Sequence, residues 1–234
     1  MSPIESNLQH IRTQMNTAIA ALPPSLQKPV SLLAVSKTKS AIQIRDAFEV
    51  GQRDFGENYV QEAVAKIEAL GDLQPRGIVW HFIGPLQSNK LKLVATHFDW
   101  VHGIDRLKVA ATLSRHRSDL RAKSNPLNAC VQVNVSGEAS KSGVAPDEAL
   151  SLAAEVSQLP GLKLRGLMTI IENTIEEKAQ RTQFHKMRTL FDSMRSNEMD
   201  VDTLSMGMSQ DFTIAIAEGA TMVRIGSTIF GVRE

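Results

Sequence analysis

The chain has 234 residues, 42% of them hydrophobic, and a formal charge of +1. That balance excludes a global electrostatic case for binding nucleic acid or a membrane surface. A single cysteine, Cys130 in the apolar run Cys130-Val-Gln-Val, excludes a disulfide framework and fits a buried strand residue in a reducing compartment.

The opening Met-Ser-Pro-Ile-Glu lacks the basic and apolar regions of a signal peptide. No apolar stretch is long enough to cross a bilayer, so a cytoplasmic protein is expected. The six histidines are scattered without metal-ligand spacing, so no metal site is expected.

The first element is a helix. Ser2 can cap it, Pro3 suits its first turn and Glu5 stands three residues after Ser2. Ile4, Leu8, Ile11, Met15, Ile19 and Leu22 recur at helical spacing until Pro23-Pro24 stop it. Apolar strands are then expected near 32–36, 53–55, 80–83, 100–103, 129–135, 164–168, 203–206 and 222–225, with helical patterns between them. The helix after Asn58 places Val60, Val64, Ile67 and Leu70 on one face, and Asn58 or Glu57 can serve its start. A polar stretch at 120–126 reads as a loop. The helix after Thr174 begins with a Thr-x-x-Glu box closed by Glu177, and the last helix starts at Ser209 and ends before Gly219. Eight strands alternating with helices over this length predict a (β/α)8 barrel with an extra N-terminal helix, residues 1–234 forming one domain. An open doubly wound sheet is the alternative.

A barrel of this kind carries its site at the C-terminal strand ends. Strand one ends in Lys37-Thr-Lys39, where a partly desolvated lysine has a lowered pKa and becomes nucleophilic towards an aldehyde. The competing reading is a pair of solubilising charges. Strand three carries His81, which can also be an ordinary barrel histidine. After strands seven and eight come Ser205-Met-Gly-Met208-Ser209 and Gly226-Ser227, which supply hydroxyls and close backbone approaches suited to a phosphate, or else form ordinary strand-to-helix turns with Ser209 as a cap. Arg224, among apolar neighbours, is a structural ion pair or a contact to the ligand's ring or anion. Asp211 opposes that reading unless its side chain points away. Lys141, after strand five, is a solvated loop charge or a partner for an incoming anion. A lysine amine, a phosphate cradle and an arginine at one barrel mouth suit pyridoxal 5′-phosphate (PLP); a Schiff-base sugar-phosphate aldolase would use the same parts.

Five segments together resemble the bacterial pyridoxal phosphate homeostasis protein family: Ala34-Val-Ser-Lys37-Thr-Lys39, Phe55-Gly-Glu-Asn58-Tyr-Val-Gln-Glu62, His81-Phe-Ile-Gly-Pro-Leu-Gln-Ser-Asn-Lys90, Leu204-Ser-Met-Gly-Met-Ser209-Gln-Asp and Val223-Arg-Ile-Gly-Ser-Thr-Ile-Phe-Gly231. The resemblance runs from about Leu8 to Gly231. It implies a barrel like the N-terminal domain of alanine racemase, with PLP held as an aldimine on Lys37 and Lys39 as its electrostatic neighbour. It further implies Arg224 facing the pyridine nitrogen, with Ser205, Met208, Ser209, Gly226 and Ser227 around the phosphate and Asn58, His81 and Met168 lining the ring pocket. Ser40 and Ser227 replace the family's usual proline and threonine; Ser40 can cap the next helix, and Ser227 keeps the hydroxyl. Racemases of this kind have a second domain that supplies the opposite base, and the expectation here is that it is absent. The resemblance thus implies a monomeric, non-catalytic PLP carrier in vitamin B6 homeostasis, with PLP-dependent apoenzymes as recipients. A PLP-dependent amino-acid racemase or decarboxylase is the alternative.

Overall fold

Each strand of the chain pairs in parallel with the next, and the last returns to the first, in a computed structural model describing residues 2–119, 125–138, 141–172 and 174–231. The strands are β1 (Ser31–Val35), β2 (Asp54–Glu57), β3 (Val79–Phe82), β4 (Trp100–Ile104), β5 (Leu127–Gln132), β6 (Leu162–Met168), β7 (Thr203–Ser205) and β8 (Met222–Ile225). Closure sets Leu33 of β1 opposite Arg224 of β8. Parallel neighbours need crossovers, made by α2 (Ala41–Glu49), α3 (Val60–Ala69), α4 (Leu91–His97), α5 (Leu107–Ser118), α6 (Ala149–Ser157), α7 (Glu177–Ser196) and α8 (Phe212–Ala217). The expected (β/α)8 barrel is therefore present, preceded by α1 (Pro3–Ala20) and followed by a short α9 (Ser227–Phe230) that the sequence reading did not foresee.

Local chemistry explains where helices begin. Ser2 and Glu5 form the expected reciprocal capping box, and Ser40 forms another with Gln43 at α2. Leu8, Ile11 and Met15 bury the inner face of α1, which lies against α2, α8 and α9. The main core fills the space between the strands and the helices, while Trp100, Cys130 and Met168 form a separate small cluster. Burial pushes the Cys130 thiol up to about 12, which leaves it an inert core residue.

Two expectations fail for physical reasons, and the inner face of α3 is wider than expected. Val60 and Leu70 are buried and Val64 and Ile67 pack against the core as expected, but the inner face of α3 also takes in Ala63 and an ion-paired Lys66. Glu177 makes no box with Thr174: α7 starts at Glu177, and Thr174 instead accepts from the Glu176 N–H through Oγ1 and from the Gln180 side chain through its carbonyl. The helix placed at Ser209 starts at Phe212, after Asp211. Of the loop expected at 120–126, residues 120–124 lie outside the described residues. One glycine is dictated by crowding. Gly166 sits where β6 shifts register against β5, at φ 143°, and a Cβ there would lie 2.0 Å from the Thr203 carbonyl oxygen.

Candidate functional site at the barrel mouth

The chain leaves β1 through a turn closed by the Lys39 N–H donating to the Ser36 carbonyl, 3.0 Å. Lys37 is its second residue. Thr38, its third, has φ 63°, a conformation a β-branched residue adopts only under strain. A buried ionic cluster holds the turn in place. Lys66 Nζ donates to the Ser36 carbonyl (2.8 Å), to Glu57 Oε1 (2.8 Å) and to Glu62 Oε1 (2.5 Å). Glu57 Oε1 also accepts from Ser36 Oγ at 2.6 Å, and Glu62 Oε1 accepts from the Thr38 N–H at 2.6 Å. The residues on both sides of Lys37 are thus tied to one buried lysine. Glu57 is fully buried; burial raises its carboxyl pKa, opposed chiefly by Lys66. It serves the β1 turn rather than the start of α3.

Lys37 and Lys39 line a cavity of about 240 Å³ together with Asn58, Met168, Met208, Ser209, Arg224, Gly226 and Ser227. These come from the C-terminal halves of five strands, β1, β2, β6, β7 and β8, and the turns that follow them, on the face where barrel sites are built. Val35, Ile83 and Ile170 supply apolar wall that the sequence reading missed; their signal is position, since each stands at or just beyond a strand's C-terminal end. Asn58 Oδ1 is buried and accepts no hydrogen bond among the described residues. Buried polar atoms rarely stay unsatisfied, so a ligand donor would complete this one. Gly84 lets the Asn58 backbone come close: a Cβ there would stand 2.2 Å from the Asn58 carbonyl oxygen.

The phosphate-loop residues divide. Met208, Ser209, Gly226 and Ser227 reach the cavity wall, whereas Ser205 is fully buried beneath it and does not line it. Asp211 turns its carboxylate back, with Oδ1 accepting from the Met208 N–H at 2.5 Å; burial raises its pKa. That donor is therefore already used. Lys141 donates to the Ile171 carbonyl at 2.8 Å and pairs with Glu138 at 2.5 Å. It lines an adjoining cavity that shares Ile170, Met208 and Ser209 with the first.

Arg224 is buried, and desolvation lowers its pKa to about 10; it remains a cation at neutral pH. Nη1 donates to Ser205 Oγ at 2.8 Å and Nη2 to the Thr169 carbonyl at 2.7 Å. His81 does not line the cavity. It lies inside the barrel, stacked on Trp100 at 5.1 Å between ring centres, with Nδ1 3.0 Å from His102 Nε2. His102, Lys66 and Asp54 escaped the sequence reading, because nothing in a strand's residue order says which polar side chains meet across its interior.

Burial first, then His81 and Arg224, hold the His102 imidazole well below its ordinary pKa. Below about pH 6.5 the unfolded chain takes up a proton here that the folded chain refuses, so this group's contribution to stability falls as pH drops, by about 1.4 kcal/mol per pH unit. Urea melts across that range should show this acid-side slope, and His102→Gln should flatten it.

Among the described residues no helix is long and apolar enough to cross a membrane, and no group of three His, Cys, Asp or Glu side chains could hold a metal ion.

Residues 5–234 match the alanine racemase N-terminal domain family. The pyridoxal phosphate homeostasis protein of Pseudomonas aeruginosa PAO1 is 51% identical over 234 residues, covering 100% of this chain and 97% of its own length. That of Escherichia coli K12 is 48% identical, covering 100% and 98%. PipY of Synechococcus elongatus PCC7942, solved with PLP bound, is 36% identical with a TM-score of 0.82, over 97% of this chain and 100% of PipY. Full-length similarity at this level, on a barrel with this arrangement at its mouth, means that the chain belongs to the pyridoxal phosphate homeostasis protein family.

Proposed function

We propose that this chain binds pyridoxal 5′-phosphate as an aldimine on Lys37, serves intracellular vitamin B6 homeostasis, and passes the cofactor to PLP-dependent apoenzymes. The observation that carries the reading is one cavity that takes in Lys37, Arg224, Ser209 and Ser227 together. The lysine amine condenses with the aldehyde, forming the C=N bond and releasing water. Ser209, Ser227, Gly226 and Met208 surround the phosphate, Asn58 and Met168 flank the ring, and Arg224 meets the pyridine nitrogen. Ser205 and His81 act beneath the cavity, through Arg224. In this reading residues 1–234 work as one binding unit, a monomer in the cytoplasm.

The fit also speaks to chemistry. Arg224 is a donor only, so the ring nitrogen it meets must accept and stay unprotonated. Such a ring is a poor electron sink, which disfavours carbanion chemistry. The homeostasis names carried by the relatives agree with a holding role. Adding PLP to the purified protein should produce a visible absorption band that borohydride bleaches. A panel of amino acids should then show no isotope exchange at the α-carbon. A protein that stays colourless would rule out cofactor binding, and robust exchange would favour the racemase reading over the carrier.

A further inference from the structure

We infer that Asp54, His81 and His102 are positioning residues that, through Ser205, orient Arg224 from the opposite end of the barrel by a one-way chain of hydrogen bonds. The inference rests on the reading that Arg224 meets the cofactor ring.

The side chains come from β2, β3, β4, β7 and β8 and meet across the barrel interior. Arg224 Nη1 donates to Ser205 Oγ at 2.8 Å. Ser205 Oγ is 3.2 Å from His102 Nδ1. His102 Nε2 is 3.0 Å from His81 Nδ1, and His81 Nε2 is 3.0 Å from Asp54 Oδ1. His81, His102 and Ser205 are fully buried. Asp54 opens β2 and so lies at the N-terminal end of the strands. Its side chain is 34% exposed, on a separate cavity with Arg12, Gln52 and Arg53. The chain therefore runs from the mouth of the barrel to its far end.

Donor and acceptor rules fix its direction. A carboxylate only accepts, so the His81 proton sits on Nε2. With His81 neutral, its Nδ1 must accept, and His102 must donate from Nε2. His102 Nδ1 then accepts, and the Ser205 hydroxyl donates to it. That leaves the Ser205 oxygen to accept from Arg224, which can only donate. Every proton points from the arginine towards Asp54, with a cation at one end and a carboxylate at the other. With both imidazoles neutral, any local reversal sets two donors or two acceptors face to face; a doubly protonated His81 would instead donate from Nδ1 and move the His102 proton to Nδ1. The arrangement thus selects one orientation of the guanidinium, and the groups that select it never touch the ligand.

Two readouts test this. Imidazole ¹⁵N NMR of the wild type, without cofactor, should show His81 and His102 neutral and protonated on Nε2. In the cofactor-loaded protein, Asp54→Leu, which removes the acceptor, should weaken PLP binding by about tenfold, the lower size of effect seen when an outer hydrogen-bond partner of a metal ligand is removed. It should also move the absorption maximum, while the melting temperature stays close to that of the wild type. Asp54→Glu should restore both. A wild-type His102 protonated on Nδ1, or an Asp54→Leu protein with unchanged affinity and spectrum, overturns the inference. If the wild type fails to bind PLP, the cofactor reading falls and the positioning role falls with it, while the nitrogen shifts independently decide the direction of the chain.

Discussion

Lys66→Met is expected to lower stability by about 3–5 kcal/mol, the range for removing one partner of a buried ion pair. Methionine fills similar volume, so the loss is electrostatic rather than a cavity effect. Glu57 Oε1 would lose the cation at 2.8 Å while remaining fully buried. Burial already raises the Glu57 pKa, and without Lys66 it rises further. A carboxyl whose folded pKa lies above its unfolded value costs stability as pH rises through that window. The variant should therefore lose most stability on the neutral side and recover part of it in mild acid. Glu57→Gln added to Lys66→Met should restore much of the loss at neutral pH, because no charge is then left buried without its partner. Urea melts of the three proteins at two pH values give the result. A Lys66→Met protein as stable as the wild type would mean that the cluster is solvated and does not brace the Lys37 turn.

Lys37→Ala should abolish the covalent adduct with PLP altogether, whereas Lys39→Ala should retain it. Both lysines line the same cavity, so proximity alone does not separate them. The turn does. Lys37 is enclosed by two anchored neighbours, the Ser36 carbonyl held by Lys66 and the Thr38 N–H held by Glu62. An amine presented from a fixed backbone meets the aldehyde without first losing backbone entropy. The strain at Thr38, of order 1–3 kcal/mol for such a conformation, is tolerated because the surrounding bonds over-determine it.

Much of the barrel can be read from residue order because its determinants are local. Ser2 with Glu5 and Ser40 start helices as their side-chain chemistry dictates. Alternation of short apolar strands with helical patterns then specifies a parallel sheet and a crossover after each strand. The mouth of the barrel was legible for the same reason, since the segments ending in Lys37, Ser209 and Ser227 each follow a strand. What escaped is non-local. Nothing in residue order marks Lys66 as buried, and only the arrival of Glu57 and the Ser36 carbonyl makes its burial possible. The resemblance sets His81 against the ligand, whereas its partners His102 and Asp54 lie below and make it the barrel histidine its strand also offered. Ser205 belongs to the phosphate loop in sequence and to the arginine's support in space. Asp211, a repulsive charge on paper, is turned onto the Met208 N–H.

The central claim is a covalent bond between one lysine and the cofactor aldehyde. Borohydride reduction of the PLP-loaded protein, followed by peptide mass mapping, tests ligand, bond and residue in one step. The expected result is a single reduced phosphopyridoxyl group on the Lys37 side chain. A group found on Lys39 or Lys141 instead, or no adduct at all, would contradict the account.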